Sequence, residues 1–278
     1  MRLASNRCVG QARQTTAWQR FAEQALTLLY PPTCVLCGAP GAAGRDLCAG
    51  CHADLPLLGP HCARCAQPFS GREHQSGESG SEAAGICVRC QHQPPPYERC
   101  AAAFRYEDPL PTLVGGIKFQ SKLNLIRLLG DLLADSLADS LTGSLTDSLT
   151  AALADESQHP GCETPDAILP VPLHPQRLRV RGYNQALELA RVVSRRLAIP
   201  INHCCCRRRR ATHAQSELNE RLRFSNILGA FEVTSAVPRR IAILDDVVTT
   251  GATVSELARV LKQAGCERID IWALARTP

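Results

Sequence analysis

Apolar positions along the chain change their spacing near residue 97. Beyond that point, short β-rich runs alternate with stretches of helical period. Residues 100–106 read as a strand, 110–119 and 123–133 as helices, 167–171 as a strand and 183–197 as a helix. The apolar run 241–244 has the length of a buried strand, 253–264 carries an amphipathic period, and 268–274 reads as a last strand. Strands separated by helices predict an α/β fold with a parallel sheet flanked by helices on both faces. Near the start, Trp18, Phe21, Ala25, Leu28 and Leu29 share one helical face, so residues 1–30 are expected to form a helical extension packed on the body.

Two stretches break this pattern. The first, 135–160, is of low complexity, with Asp135-Ser-Leu-Ala followed by three variants of the same tetrad. Leu137, Leu141, Leu145 and Leu149 recur every fourth position on a slowly drifting stripe, but Ser, Thr and Gly weaken helices, and a marginal helix or disordered insertion is expected. The second, 31–96, has too few apolar residues to fold by burial alone and ends in Pro94, Pro95 and Pro96, which read as a rigid linker to a domain spanning 97–278.

What this second stretch has instead is cysteine, in four Cys-x-x-Cys pairs: Cys34/Cys37, Cys48/Cys51, Cys62/Cys65 and Cys87/Cys90. A Cys-x-x-Cys turn aims two thiolates at one metal, and two turns complete a tetrahedral zinc site. Eight thiolates thus imply two Zn2+ ions whose binding supplies the folding free energy of a double zinc ribbon. Pairing neighbours in sequence gives ribbons 34–51 and 62–90, with the polar residues 70–85 as a finger tip; a crossed pairing uses the same eight thiolates. Four thiolates leave zinc no open position, so its role here is structural. A thioredoxin-like redox pair would sit at a helix start after a strand, a context these turns lack.

Charge points to the ligand. The net charge is +5, yet residues 170–240 hold fourteen arginines against four glutamates, so a phosphate-rich ligand or polyanion is expected to meet that segment. No apolar run approaches the ~20 residues of a membrane helix, and no membrane span is expected. Residues 1–14 have no apolar core of a secretory signal, so the fifteen cysteines are read in a reducing cytoplasm; the arginine-rich, acid-poor stretch 1–20 also suits an organelle transit peptide.

The most informative run is Ile241-Ala-Ile-Leu-Asp245-Asp246-Val247-Val248-Thr249-Thr250-Gly251-Ala252-Thr253, a strand, two carboxylates, a small-residue loop and a helix start in succession. Such a loop turns amides and hydroxyls toward a phosphate at the positive end of the following helix. Adjacent carboxylates accept hydrogen bonds from a vicinal diol and help organise Mg2+. Phosphate and diol together describe a ribose 5-phosphate. The run lacks the lysine of a Walker loop and the spacing of a dinucleotide fingerprint.

This run resembles the phosphoribosyl pyrophosphate loop of type I phosphoribosyltransferases. With four Cys-x-x-Cys pairs ahead of it, the chain resembles the ComF family, in which a zinc-ribbon head precedes such a domain. Further matching segments are Pro31-Pro-Thr-Cys34, Gly116-Ile-Lys118-Phe119, Leu169-Pro-Val-Pro-Leu, Arg181-Gly-Tyr-Asn-Gln185, and Gln215-Ser-Glu-Leu218 with Arg221 and Asn226. The resemblance implies phosphoribosyl pyrophosphate with Mg2+ as donor, Asp245 and Asp246 on the ribose hydroxyls, and the loop from Val247 and Val248 through Thr249, Thr250, Gly251, Ala252 and Thr253 around the 5-phosphate. It further implies a glycosyltransferase-class phosphoribosyltransferase, if active, in competence, DNA uptake, or the processing and reuse of DNA. Arg177, Arg179 and Arg181, in an expected loop at the carboxyl edge of the sheet, are candidates for a pyrophosphate clamp, with Lys118 as a further cation. Residues 207–231 resemble a mobile hood, from which Gln215, Arg221 and Asn226 reach the acceptor or close on the donor. The run Cys204-Cys-Cys-Arg207-Arg-Arg-Arg210 reads as an addition that does not touch the central motif.

Two rival readings use the same residues. The arginine-rich segment would neutralise phosphates of single-stranded DNA or hold a nucleotide-like ligand, although the aromatic content of 4% argues against broad base stacking. Alternatively the ribbons make the chain an adaptor that docks a DNA-uptake helicase or other competence proteins.

Overall fold

The computed structural model describes residues 9–10, 31–69, 85–120, 122–151, 164–211 and 227–278. Its strands are β1 (Val9–Gly10), β2 (Arg99–Arg105), β3 (Ala167–Pro170), β4 (Ile201–Asn202), β5 (Cys206–Arg208), β6 (Phe231–Val233), β7 (Arg240–Val248) and β8 (Arg268–Arg276). Its helices are α1 (Ala49–Ala53), α2 (Val88–His92), α3 (Leu110–Gln120), α4 (Leu123–Ala151), α5 (Pro175–Arg181), α6 (Gln185–Leu197) and α7 (Ala252–Gln263).

Six strands form one sheet in the order β1-β4-β3-β7-β8-β2, parallel throughout except for the short β1–β4 pair, and β5 and β6 form a separate antiparallel pair. From β3 the chain proceeds outward to β4, whereas from β7 it proceeds the other way to β8, so the topology reverses between β3 and β7. In an open α/β sheet the carboxyl side of such a reversal is where ligands bind.

Period-two alternation sorts the strand side chains into two cores. Ile241 and Ile243 of β7 join Ile269 and Ile271 of β8 beneath Val254, Leu257 and Leu261 of α7. Ala242 and Leu244 face the other way, with Ile168, Trp272 and Leu274, toward α3, α4 and α6. The ribbons dock one on each core: Leu47 and Leu55 belong to the α4 side, and Leu58, Ala66 and Tyr97 to the α7 side. Between them the 56–58 segment lies along the free edge of β2, where Arg105 N donates to Pro56 O (2.8 Å) and Leu58 N to Ala103 O (3.3 Å), covering an edge otherwise open to pairing.

Several expectations are revised. The strand read as 241–244 runs on to Val248, because the carboxylates that interrupt its apolar pattern still alternate between faces. The helix read as 123–133 continues to Ala151 through all four tetrads of the repeat, with Ala134 and Leu137 buried. The expected loop 177–181 is helix α5, capped by the His174 side chain and stopped by Gly182 in the left-handed conformation (φ 82°). Within residues 1–30, Val9–Gly10 is a strand; the helical face from Trp18 to Leu29 lies outside the described residues, as do the finger-tip residues 70–84. Among the described residues no helix is long and apolar enough to cross a membrane.

Candidate functional site

Two four-cysteine clusters stand at the ribbon end: Cys34, Cys37, Cys48 and Cys51, and Cys62, Cys65, Cys87 and Cys90, the ligand atoms of each lying within 4.8 Å of one another. Neighbours in sequence therefore pair, and the crossed scheme is excluded. All-thiolate donor sets of this compactness fit two structural Zn2+ ions. Backbone amides prepare the sulfurs: Cys51 N donates to Cys48 Sγ (3.4 Å) and Cys87 N to Cys62 Sγ (3.3 Å). Burial raises Cys34, but hydrogen bonds from the surrounding amides outweigh it and bring the thiol down to about 6. At Cys62 the Cys65 thiol, followed by amides of both turns, overcomes burial and brings it to about 4.

The second candidate is a cleft of about 830 Å3 at the carboxyl ends of β3 and β7, at the topological reversal. Lys118, Asp245, Asp246, Val247, Val248, Thr249, Gly251, Ala252, Thr253, Arg177 and Arg181 all line it. Thr250 and Arg179 do not: the Thr250 carbonyl is turned toward the ribbon, where it accepts from Arg89 Nη2 (3.2 Å), and Arg179 is exposed on α5. The arginines are spaced for a helix, not a loop; Arg177 and Arg181, one turn apart, share the cleft-facing side and Arg179 falls off it. Gln215, Arg221 and Asn226 lie outside the described residues.

The carboxylates straddle the sheet. Asp246 keeps the parity of Ala242 and Leu244 and so faces α3, where its Oδ2 meets Lys118 Nζ at 2.7 Å; its Oδ1 accepts from Val247 N (2.9 Å). Asp245 has the opposite parity, and its Oδ1 accepts from Asp246 N (2.9 Å). Burial, then the Asp246 charge, pushes Asp245 up to about 8, with Lys118 opposing. Burial pulls Lys118 down, but the Asp246 charge and hydrogen bond, with Asp245 behind them, hold its ammonium above the ordinary value.

Facing this acidic pair is a cationic wall. Burial and then the charge of Arg181 lower Arg177. Arg181 is held by Gln185 Oε1 at 2.6 Å. Arg208, absent from the sequence-derived set, also lines the cleft, is buried against the Phe231 ring (5.6 Å to its centre), and is lowered to about 10 by burial and then by Arg177, against the pull of Asp245. The 204–210 run therefore does reach the central motif. In β5, strand alternation turns Cys206 and Arg208 inward and Arg207 outward to Glu232 (3.0 Å), a signal that four consecutive arginines conceal.

Between the two charged walls, the loop enters α7 through Gly251, whose positive φ (77°) and missing side chain give the helix no cap from that residue; Ala252 N donates instead to Thr250 Oγ1 (3.4 Å), and the amino end of α7 lies beside the cleft. A second support comes from Asn184, which caps α6 by accepting from Ala186 N (3.0 Å) and donates to Val171 O (3.0 Å) at the end of β3. The Tyr183 hydroxyl donates to Ile117 O beside Lys118. Cation, carboxylates, helix amino end and arginines thus converge on one space that suits an anion carrying hydroxyls.

Residues 25–91 match the family model described as the double zinc ribbon domain. Over 248 residues the chain is 32% identical to competence protein F of Haemophilus influenzae, covering 87% of this chain and 96% of that protein. It is 32% identical over 252 residues to DNA utilization protein YhgH of Escherichia coli K12, covering 90% and 99%. A shorter match, 29% over 107 residues, joins it to competence protein ComFC of Streptococcus pneumoniae, covering 38% of this chain and 46% of that one.

Proposed function

From the premise that this chain belongs to the family of competence protein F and YhgH, the ComF family, we propose that its cleft binds phosphoribosyl pyrophosphate, or a related ribosyl phosphate, with Mg2+, and that it serves natural competence and the use of DNA. One observation carries this reading: Asp245 and Asp246, with Lys118 on Asp246 at 2.7 Å, share a cleft with the amino end of α7, entered through Gly251. The carboxylates accept the ribose hydroxyls and the loop amides take the 5-phosphate. Arg177, Arg181 and Arg208 take the negative charge at the far end of the ligand. Mg2+, when bound, neutralises charge on the pyrophosphate. Turnover breaks the bond from C1 to the pyrophosphate oxygen, with the electron pair leaving on pyrophosphate, while an acceptor's lone pair closes on C1.

Calorimetric titration of the zinc-loaded protein with phosphoribosyl pyrophosphate tests it. Binding that requires Mg2+ and disappears in the Asp245→Asn, Asp246→Asn double variant supports the reading; absence of binding, or undiminished affinity in the variant, overturns it. Single-stranded DNA is the competing occupant, drawn by the arginine excess of residues 170–240. It would instead show affinity that falls steeply with salt and needs no Mg2+.

A further inference from the structure

Arg276, the last residue of β8, is only 3% exposed, and its guanidinium holds two parts of the molecule at once. On one side Nε donates to the carbonyl of Cys65 (3.0 Å) and Nη2 to Gln67 Oε1 (2.7 Å). On the other, Nη1 donates to the carbonyls of Val248 (3.3 Å) and Thr249. Cys65 belongs to the second four-cysteine site, and Val248 and Thr249 open the loop at the cleft. Arg89, between Cys87 and Cys90, adds a third tie through its bond to the Thr250 carbonyl (3.2 Å). Tyr97, buried with the same ribbon, lies so close that a Cβ on Gly251 would meet its hydroxyl at 3.7 Å.

Three successive carbonyls are therefore held on this side, that of Val248 in the β7–β8 ladder as well as by Arg276, and those of Thr249 and Thr250 by Arg276 and Arg89. In a planar trans peptide the N–H points opposite to its carbonyl, so the amides of Thr249, Thr250 and Gly251 are turned away from the ribbon, toward the side on which the cleft lies. The sheet itself secures part of this, since Thr277 N donates to the Val248 carbonyl (3.1 Å) and Arg276 Nη1 to the Thr277 carbonyl (2.8 Å); the ribbon's share falls on the Thr249 and Thr250 carbonyls, whose ties run through Arg276 to the Cys65 carbonyl and Gln67 and through Arg89, groups that the four-thiolate metal site fixes. The first ribbon is tied elsewhere, through Arg45 to Asp135 on α4 (2.5 Å).

We propose that Arg276 is a positioning residue that couples the metal state of the second four-cysteine site to the 248–251 loop, so that this site, rather than the first, sets whether the cleft can hold an anionic ligand. The proposal rests on the ribosyl phosphate reading for the ligand's identity, but the coupling can be read without any ligand.

The test is hydrogen–deuterium exchange over residues 248–254 in the full, zinc-loaded chain, beside titration with phosphoribosyl pyrophosphate and Mg2+. Arg276→Met, still holding two zinc ions, is expected to exchange about tenfold faster in this loop and to bind about tenfold more weakly, the scale of losing charged, buried hydrogen bonds. Arg276→Lys, which cannot bridge both sides, recovers part of each effect. Cys87→Ser, holding one zinc, reproduces the loop change, and Arg45→Ala leaves the loop as in the parent. If Arg276→Met does not fold, Arg89→Ala at the more exposed tie is expected to show a smaller rise confined to the same residues. Loop exchange in Arg276→Met and Cys87→Ser equal to that of the parent overturns the coupling, as does parental exchange in Arg89→Ala should Arg276→Met be unobtainable. A parent that shows the coupled exchange yet binds no phosphoribosyl pyrophosphate keeps the coupling and removes the ribosyl phosphate reading instead.

Discussion

Asp245 and Asp246 are adjacent in β7 yet answer to different neighbours, because a strand turns consecutive side chains to opposite faces. Asp246 has Lys118 at 2.7 Å, whereas Asp245 meets burial and the Asp246 charge and is pushed up to about 8. In the folded chain Asp245 therefore holds its proton far above the unfolded value of about 4, and folding binds a proton between those limits. Stability from this group is full below about pH 4, declines as pH rises toward about 8, and is constant beyond. Asp245→Asn removes the dependence, so its melting temperature relative to the parent should climb by a few degrees between pH 5 and pH 8, read by scanning calorimetry of both zinc-loaded proteins. Metal-ligand titration is common to the two and cancels; a gap that stays level would mean that Asp245 is ionised at neutrality. The arginines divide in the same manner. Arg208 is buried in the cleft and Arg207 is turned out to Glu232, so Arg208→Ala should weaken the proposed binding of phosphoribosyl pyrophosphate about ten- to a hundredfold, as expected for lost hydrogen bonds to a charged group, and Arg207→Ala hardly at all. Equal losses from both would place the effect in general charge rather than in the cleft.

Among the elements, α4 is the one the sequence described least well. Its first turns have an ordinary apolar period, but the Ser/Leu/Asp tetrads beyond residue 134 carry weak propensity, and tertiary contacts decide their state. Leu137 is 2% exposed, and Asp135 is paired to Arg45 (2.5 Å) and Arg196 (2.6 Å), linking the first ribbon, α4 and α6. Leu137→Ala should therefore cost about 2–5 kcal/mol, whereas a dispensable insertion would tolerate it. Denaturant unfolding measures the difference. The α4–α6 crossing is set by Gly130, where a Cβ would stand 2.6 Å from Val192 Cβ. Gly130→Ala should destabilise by roughly 1–3 kcal/mol and be only partly relieved by a second change, Val192→Ala, which removes the γ-methyls at 2.9 and 3.0 Å but keeps the Cβ; a neutral Gly130→Ala would show that the helices can separate freely. The strands and α7 were legible because buried parallel strands read as apolar runs and Gly251 marks a helix start. Helix α5 was not, since Pro175 and a string of arginines give no apolar face, and β5 and β6 are too short for any period to show. At the cleft, the acidic pair and the loop could be read because they are contiguous. Arg208 and Arg276 could not, because each reaches its place only when distant strands are assembled.

For the whole molecule, the placement of the ribbons matters more than their existence. The cysteine spacing announced two metal sites, but not that one ribbon would complete each core or that the connection between them would cover the β2 edge. Metal loss should consequently reach the sheet. A strong chelator is expected to release two zinc ions per chain, counted with a colorimetric dye, and to unfold the ribbons, whose apolar content is too small to hold them. Withdrawing 56–58 frees the Arg105 amide from the Pro56 carbonyl and exposes the two faces on which Leu47 and Leu55, and Leu58, sat. Deuterium uptake across 99–105 should then rise together with that of the ribbons, while the central strand β7, hydrogen-bonded to β3 and β8 on its two sides, keeps its protection longest. Fewer than about one zinc released per chain would remove the metal assignment itself. Two released with β2 exchange unchanged would mean that the sheet holds its edge without the ribbons, and that the zinc module is a separable head rather than part of the core.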